Sequence, residues 1–136
     1  MRIACALLSL CIFAGCQNPS GNPALSGPSY PMELHKPNSL PIQVIREQEH
    51  IDIINSTANA FESPVLWINQ RYSVQLPSIV EGQTLRVNLW TLRDVYGEQM
   101  NAGGIWRTGD PTSVVIAELQ VSEDEPLIGL IVIGED

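Results

Sequence analysis

Within TLRVNLW, residues 84–90, apolar side chains occupy every second position from Leu85 to Leu89. The intervening positions, and Thr84 before them, carry polar or charged side chains. An alternation of period two predicts a β-strand that buries one face and exposes the other. The turn signal Glu81-Gly82 stands just before this run, so we expect the strand to follow a tight turn.

Similar β-favouring runs lie on both sides of this strand. They span residues 40–46, 50–55, 64–76, 113–121 and 127–133. The run 64–76 has apolar stretches on both sides of Asn69 and Gln70, which predicts a hairpin. Because Gln is a weak second turn residue, we expect a turn longer than two residues. The run 127–133 is apolar on both faces, which predicts an interior strand too short to span a membrane.

These runs define a fold class. About six to eight short strands, without a long segment of helical period, predict an all-β domain over residues 40–136. We expect an antiparallel, immunoglobulin-like β-sandwich that follows a disordered N-terminal tether. Trp67 lies in mid-strand, where such folds often bury a tryptophan, although no cysteine pair supports the assignment.

The first residues of the chain have the three parts of an export signal. Arg2 is positive, residues 3–14 form an apolar stretch of 12 residues, and the small residues 14–15 precede Cys16. A helix of that length covers roughly 18 Å, too short for a hydrocarbon core of about 30 Å. We therefore expect residues 1–15 to be a signal peptide that is cleaved.

The tetrapeptide Phe13-Ala14-Gly15-Cys16 resembles the lipobox of bacterial lipoproteins, although Leu is usual where Phe13 stands. In that family the cysteine thiol receives a diacylglyceryl group, and cleavage occurs just before the cysteine. The resemblance implies a lipid on Cys16 that attaches the protein to a membrane. The alternatives are ordinary secretion with a free thiol at Cys16, and an unexported cytosolic chain with an apolar N-terminal strand. Since Gln17 and not Asp follows Cys16, it also implies the outer membrane if the source has two membranes.

The chain has three cysteines. Two of them, Cys5 and Cys11, lie inside the predicted signal and would be removed with it. Lipid would occupy the sulfur of Cys16, so we expect no disulfide, no thiolate nucleophile and no cysteine metal site in the mature protein.

Residues 17–39 are rich in Pro and Gly and have no apolar period. Prolines at this density remove backbone hydrogen bonds, which predicts a linker and not a helix or strand. Together with Cys16 the segment 16–39 is expected to hold the domain clear of the lipid headgroups.

The domain also loosely resembles the small immunoglobulin-like domains of bacterial envelope lipoproteins. The resemblance rests on Asn55 at the end of an early strand, on the run from Trp67 to Tyr72, and on EGQTLRVNL at 81–89. It implies a fold and not an activity.

The chain is acidic, with a formal net charge of −8 at pH 7. Phosphate neutralisation needs a basic stripe, so nucleic-acid binding is disfavoured. Six of the acidic residues lie in the last 19 positions, with no basic residue among them.

The connection 93–110 is long for a domain whose other links are short, and long loops are often functional. Tyr96, Trp106 and Arg107 in it are of the types enriched at binding hot spots, which makes them candidate partner-binding residues. The alternative is a structural loop whose Trp106 packs against the end of the sandwich.

Three functions follow from these observations. The first is a non-enzymatic, membrane-anchored envelope lipoprotein with an assembly, adhesion or accessory-binding role, without cofactor or metal, whose expected partner is another envelope protein. The second is a small-ligand or cation-binding module that uses the 93–110 loop or the acidic turn 122–126. The third is an envelope hydrolase with a carboxylate pair such as Asp94 with Glu98 or Asp110.

Overall fold

The computed structural model describes residues 21–105 and 109–134 of the 136-residue chain. The predicted signal peptide, the lipobox with Cys16, and the loop residues Trp106 and Arg107 lie outside the described residues. The interpretations that concern them stay predictions.

The described chain is built from short strands joined by turns. The strands are β1 (Ile42–Glu47), β2 (His50–Asn55), β3 (Val65–Ile68), β4 (Tyr72–Gln75), β5 (Thr84–Asn88), β6 (Ala117–Gln120), β7 (Ile128–Gly129) and β8 (Ile131–Ile133). Three single-turn 3₁₀ helices span Pro23–Leu25, Met32–Leu34 and Leu89–Thr91. The run 84–90 is thus a strand whose final residues turn into a 3₁₀ helix.

The strands form two sheets of four, with orders β5-β2-β1-β8 and β4-β3-β6-β7. We call these the first and the second sheet. The first, second and fifth strands lie in one sheet, and the third, sixth and seventh lie in the other, as in an immunoglobulin-like sandwich. The predicted all-β sandwich is confirmed, with one addition: β8 pairs with β1 in parallel, whereas the other pairs are antiparallel.

Alternating side chains of both sheets form the core. In the first sheet Val44, Ile51 and Ile53 point inward, and in the second sheet Leu66 and Leu119 meet them. All five side chains are fully shielded from solvent. Period-two patterning therefore selects the inner faces, as the sequence predicts.

The predicted hairpin at Asn69-Gln70 is confirmed. Ile68 pairs with Tyr72, so three residues form the turn, and Asn69 and Gln70 both have positive φ, 53° and 57°. Asn tolerates that region well and Gln less so, which fits a turn longer than two residues.

The run 113–121 is a strand only from Ala117 onward. The residues before it bond to Asn69 of the β3–β4 turn. The backbone N–H of Asn69 donates to Ile116 O at 2.9 Å, its Oδ1 accepts from the backbone N–H groups of Val115 and Ile116, and its side-chain amide donates to the Ser113 carbonyl. Asn69 thus supplies the hydrogen-bond partners for residues 113–116 that a neighbouring strand supplies for β6.

The prediction that residues 127–133 form one interior strand is wrong. The run divides at Leu130 into β7 and β8, which lie at the edges of different sheets. Its two-sided apolarity has another cause: Leu130 faces the core, whereas Leu127 is fully buried outside the core cluster, beside the segment that precedes β1.

Residues 21–39, expected to be part of a free linker, lie along the outside of the second sheet. We call this segment the strap. Its backbone bonds to the domain at both ends, from Asn22 N–H to Gly97 O at 3.3 Å and from Leu127 N–H to Leu34 O at 2.9 Å. Prolines prevent the strap from forming a strand, but they do not prevent it from packing.

The sandwich has two ends of different character. The loop end consists of the turns 48–49 and 69–71 and the described parts of the connection between β5 and β6, residues 89–105 and 109–116. The acidic end consists of residues 56–64, 76–83 and 121–127. The strap begins at the loop end, beside Gly97, and reaches the start of β1 at the acidic end, where Ser56 N–H bonds to Pro41 O.

Candidate functional site

Trp67 is buried, as its mid-strand position predicts, but it points away from the inter-sheet core. Its neighbours Leu66 and Ile68 belong to the core cluster, whereas Trp67 does not. In register it lies opposite Ser73 and Glu118, so these three residues share the outer face of the second sheet. All are at most 6 % exposed, because the strap covers them.

The strap contacts this face through Tyr30. The rings of Tyr30 and Trp67 meet edge to face, with centroids 5.3 Å apart and an interplanar angle of 85°. This arrangement places the positive ring edge of one aromatic on the negative face of the other. The indole N–H of Trp67 donates to Oε1 of Gln120 at 2.9 Å, so the tryptophan is also satisfied as a polar group.

Glu118 holds the same part of the strap. The Tyr30 hydroxyl donates to Glu118 Oε2 at 2.6 Å, and His35 Nδ1 lies 2.7 Å from Glu118 Oε1. Glu118 is 2 % exposed, so both carboxylate oxygens find partners within the protein. Burial, and then the hydrogen bond and charge of Glu118, raise the pKa of Tyr30, which keeps its hydroxyl protonated and donating.

Glycines allow the strap to approach the domain backbone. A Cβ on Gly97 would collide with the carbonyl oxygen of Asn22, and one on Gly129 would collide with that of Asn38. Near the middle, Gly27 N–H bonds to Asp94 O at 2.8 Å. The strap therefore lies in backbone contact with the domain along its length.

At the loop end, Asp94 organises the first turn of the long connection. Its Oδ1 accepts from the backbone N–H groups of Tyr96 and Glu98, at 2.9 and 2.8 Å. Its Oδ2 accepts from Arg71, which also binds Glu98 at 2.5 Å. The guanidinium of Arg71 lies 4.8 Å above the Tyr72 ring. One buried carboxylate thus joins the connection to the β3–β4 turn.

The charge state of Asp94 follows from these contacts. Burial raises the pKa of Asp94, but the hydrogen bonds from Arg71, Glu98 N–H and Tyr96 N–H outweigh it, and the net pKa lies below its usual value. Asp94 is therefore an ionised, 1 % exposed carboxylate. A glycosidase needs carboxylates that the substrate can reach, and the carboxylate of Asp94 is shielded from solvent.

The candidate partner-binding residues are only partly described. Tyr96 is 73 % exposed on the turn that Asp94 holds, next to Gly21 at the start of the strap. Trp106 and Arg107 lie outside the described residues, so nothing tests whether they join Tyr96. Their neighbour Ile105 is 93 % exposed.

A groove of about 620 Å³ lies on the other side of the same connection. It is bounded by Arg46, Gln48, Glu49, Ala102, Gly103, Gly104, Ile105, Gly109 and Pro111. Arg46 donates from its three guanidinium nitrogens to the carbonyls of Gln48, Ala102 and Thr112. Tyr96 is not among the lining residues, so the exposed tyrosine and the groove are separate features.

The acidic turn 122–126 carries three exposed carboxylates, and the Ser122 hydroxyl accepts from Glu125 N–H at 3.1 Å. Within residues 21–105 and 109–134, no three His, Cys, Asp or Glu side chains form a group that could hold a metal ion. Among the same residues, no helix has the length and apolarity needed to cross a bilayer.

The site residues predicted from the sequence do not include Tyr30, His35, Glu118 and Arg71. One signal points to them: β3 reads Val-Leu-Trp-Ile, apolar at every position, although a sandwich strand with one wet face should alternate. A strand that is apolar on both faces indicates that something covers its outer face. The preceding Pro-rich segment, with an aromatic at Tyr30, is adjacent in sequence to the domain it covers.

No protein-family model, no curated protein and no solved structure matches the chain.

Proposed function

We propose that this protein is a lipid-anchored, non-enzymatic protein of the cell envelope whose β-sandwich acts through contacts with a partner. The lipid is carried by Cys16, and in a cell with two membranes the protein lies at the outer one. Its role is assembly, adhesion or accessory binding. The expected partner is another protein of the envelope.

The observation that carries the proposal is that the buried carboxylates of Glu118 and Asp94 bind other groups of the protein. Glu118 binds Tyr30 and His35 of the strap, and Asp94 binds Arg71 and two backbone N–H groups of the loop end. Each fixes a surface segment on the sandwich. Such contacts shape a stable surface, whereas a hydrolase would turn at least one carboxylate toward a substrate cleft.

The surface that these contacts shape supports a binding role. Tyr96 and Ile105 project from the loop end with 73 % and 93 % of their surface exposed. Tyr is among the residues most enriched in binding hot spots, and an aliphatic side chain exposed this far gains from being covered.

Two measurements test the proposal in sequence. The intact mass of protein extracted from membranes with detergent is compared with that of Cys16→Ser. We expect the wild type to lack residues 1–15 and to carry acyl mass that the variant lacks. A soluble wild type with an unmodified Cys16 contradicts the anchor.

The second measurement addresses the partner. A photo-crosslinking amino acid at Tyr96 is compared in living cells with the same group at Asp124, which is exposed at the acidic end. We expect a discrete adduct with one envelope protein from position 96 and not from position 124. Equal labelling from both positions contradicts a contact surface at the loop end.

The groove supports a second candidate, a small-ligand or cation-binding module. The Glu49 carboxylate lies against Gly104 on the groove wall and would favour a cationic ligand. Calcium chloride is the probe: amide shifts of Gly103 and Gly104 that saturate in the wild type and disappear in Glu49→Gln support this candidate. Unchanged shifts reject calcium as the ligand.

A further inference from the structure

The path of the strap determines where the chain enters the domain. Asn22 N–H bonds to Gly97 O, and Cβ atoms on Gly21 and Gly97 would collide with the carbonyls of Tyr96 and Asn22. The backbones therefore touch at the loop end, and the described chain begins there. The entry point is not the start of β1, which lies at the opposite end of the sandwich.

Only residues 17–20 separate Cys16 from Gly21. A fully extended chain gains at most about 3.6 Å per residue, so the step from 16 to 21 spans no more than about 18 Å. A linker that ran freely to residue 39 would reach several times farther. With the strap bound, a lipid on Cys16 keeps the turn at Tyr96 close to the bilayer surface.

The charges of the two ends favour the same orientation. The acidic end carries five exposed carboxylates and no Lys or Arg: Glu62, Glu81, Glu123, Asp124 and Glu125. Among its described residues the loop end carries Arg71 and Arg93 beside four carboxylates, and Arg46 and Glu47 at the end of β1 adjoin them. The four carboxylates are those of Glu49, Asp94, Glu98 and Asp110. An anionic bilayer repels the acidic end more strongly than the loop end.

The exposed side chains of the loop end suit a lipid interface. Tyr96 combines an apolar ring with a hydroxyl, the combination that favours the boundary between headgroups and hydrocarbon. Ile105 and Val95, 93 % and 41 % exposed, add aliphatic surface at the same end.

From these four observations we propose that the loop end is the membrane-facing surface of the domain. Tyr96 and Ile105 face the headgroup region of the bilayer that holds Cys16, so the envelope protein that they contact is one held at that same bilayer, and the acidic end points away from it. This inference rests on the proposed lipid anchor, and it adds to that function a fixed orientation set by the strap.

Fluorescence quenching on vesicles tests the orientation. The lipidated protein is reconstituted into phosphatidylethanolamine–phosphatidylglycerol vesicles that contain a headgroup nitroxide lipid. Because Cys5 and Cys11 leave with the signal and lipid occupies Cys16, Tyr96→Cys, Ile105→Cys and Asp124→Cys each offer one free thiol for a fluorophore. We expect several-fold stronger quenching at positions 96 and 105 than at position 124.

A matched pair of glycine variants tests the role of the strap. Gly97 and Gly82 have φ of +74° and +72°, but only a Cβ at Gly97 meets the strap, since nothing lies within 4 Å of one at Gly82. Gly97→Ala should release the start of the strap and reduce the difference in quenching between positions 96 and 124. Gly82→Ala, with the same backbone strain, should preserve it.

The outcomes separate the two proposals. Protein that floats with the vesicles and shows equal quenching at all three positions overturns the orientation and leaves the anchor standing. Protein that does not float refutes the anchor, and the orientation falls with it. Quenching that is unaffected by Gly97→Ala overturns the claim that the strap sets the orientation.

Discussion

The hydroxyl of Tyr30 donates a hydrogen bond to Oε2 of Glu118 at 2.6 Å, joining residues 88 positions apart in the chain. The acceptor is 2 % exposed and lies on a central strand of the second sheet. A buried carboxylate without hydrogen-bond donors destabilises a fold more than an exposed one does. Because the strap supplies the donor for Glu118, this contact makes the strap part of the folded domain.

Tyr30→Phe keeps the ring on Trp67 and removes only the donor. Glu118 would retain His35 as a partner but lose its shortest hydrogen bond, so we expect a loss of about 1–3 kcal/mol in the free energy of unfolding. Urea denaturation followed by tryptophan fluorescence measures it. Tyr96→Phe, with an exposed hydroxyl, is the matched control and should change little. Equal stabilities for Tyr30→Phe and wild type would contradict the role assigned to this bond.

Gly97→Ala should destabilise the domain more than Gly82→Ala. Both replacements place a Cβ in the left-handed region, which costs about 1–2 kcal/mol. Only the Cβ at 97 collides with the backbone of Asn22, so the strap must shift as well. Denaturation midpoints of the two variants, measured side by side, give the difference. The same loss in both variants would mean that the strap adds no stability at this point.

The strands and the hairpin follow from the sequence because their patterning is local. Alternation from Leu85 to Leu89 identifies β5, and Asn69 with Gln70 identifies the β3–β4 turn. The inner faces of both sheets follow from the same period. The edges of the sheets could not be predicted in this way. Residues 127–133 divide at Leu130 because β7 pairs with one sheet and β8 with the other, and this pairing at long sequence distance leaves no local pattern.

The strap could not be predicted from its own residues, because proline-rich composition is shared by free linkers and by segments packed against a domain. What places it is pairing at long sequence distance, from Tyr30 and His35 to Glu118. The candidate site divides in the same way. Residue type and loop length identify Tyr96, whereas the contact between Asp94 and Arg71 that shapes its turn is apparent only in three dimensions.

The pairing of Asp94 makes stability depend on pH. Because the native pKa of Asp94 lies below its unfolded value of about 3.9, the ionised group stabilises the fold fully above that value, and this contribution is lost as the pH falls through the native pKa. Asp94→Asn should therefore be less stable than wild type at neutral pH and lose less stability on acidification. Thermal unfolding between about pH 7 and pH 2 measures both slopes.

Asp52 provides the control for that measurement. The hydrogen bond from Arg86 lowers the pKa of Asp52 as well, but this pair lies on the open face of the first sheet. Solvent screens exposed pairs, so Asp52→Asn should change the acid slope less than Asp94→Asn. Two variants with indistinguishable slopes would show that burial of Asp94 does not strengthen its pairing.

Asn55, at the end of β2, holds together the acidic end. It is fully buried; its amide donates to the carbonyls of Asn59 and Val80, and its Oδ1 accepts from the Thr57 backbone and hydroxyl. Asn55→Asp replaces two donated bonds with carboxylate–carbonyl repulsion, so we expect it to cost more stability than Asn55→Ala. Calorimetry on both variants, with the exposed Asn59→Asp as control, decides the order. A less damaging Asp would contradict this hydrogen-bond assignment.

Arg46 should control the order of the groove side of the loop end. Its guanidinium binds the carbonyls of Ala102 and Thr112 at 3.0 and 2.5 Å, and so holds both sides of the chain that bounds the groove. Lys has one nitrogen and cannot reach both carbonyls together with Gln48. The loss of about 1–3 kcal/mol of local stabilisation would speed amide hydrogen exchange around residues 102–112 by about 5-fold to 150-fold, since about 1.4 kcal/mol corresponds to a factor of ten. Hydrogen-exchange mass spectrometry of Arg46→Lys measures it, and Arg86→Lys on the open face is the matched control.

Exchange that accelerates evenly over the whole domain would contradict a local role for Arg46. Exchange confined to the connection would show that one side chain of β1 orders the groove, independently of the contacts that Asp94 makes beside Tyr96.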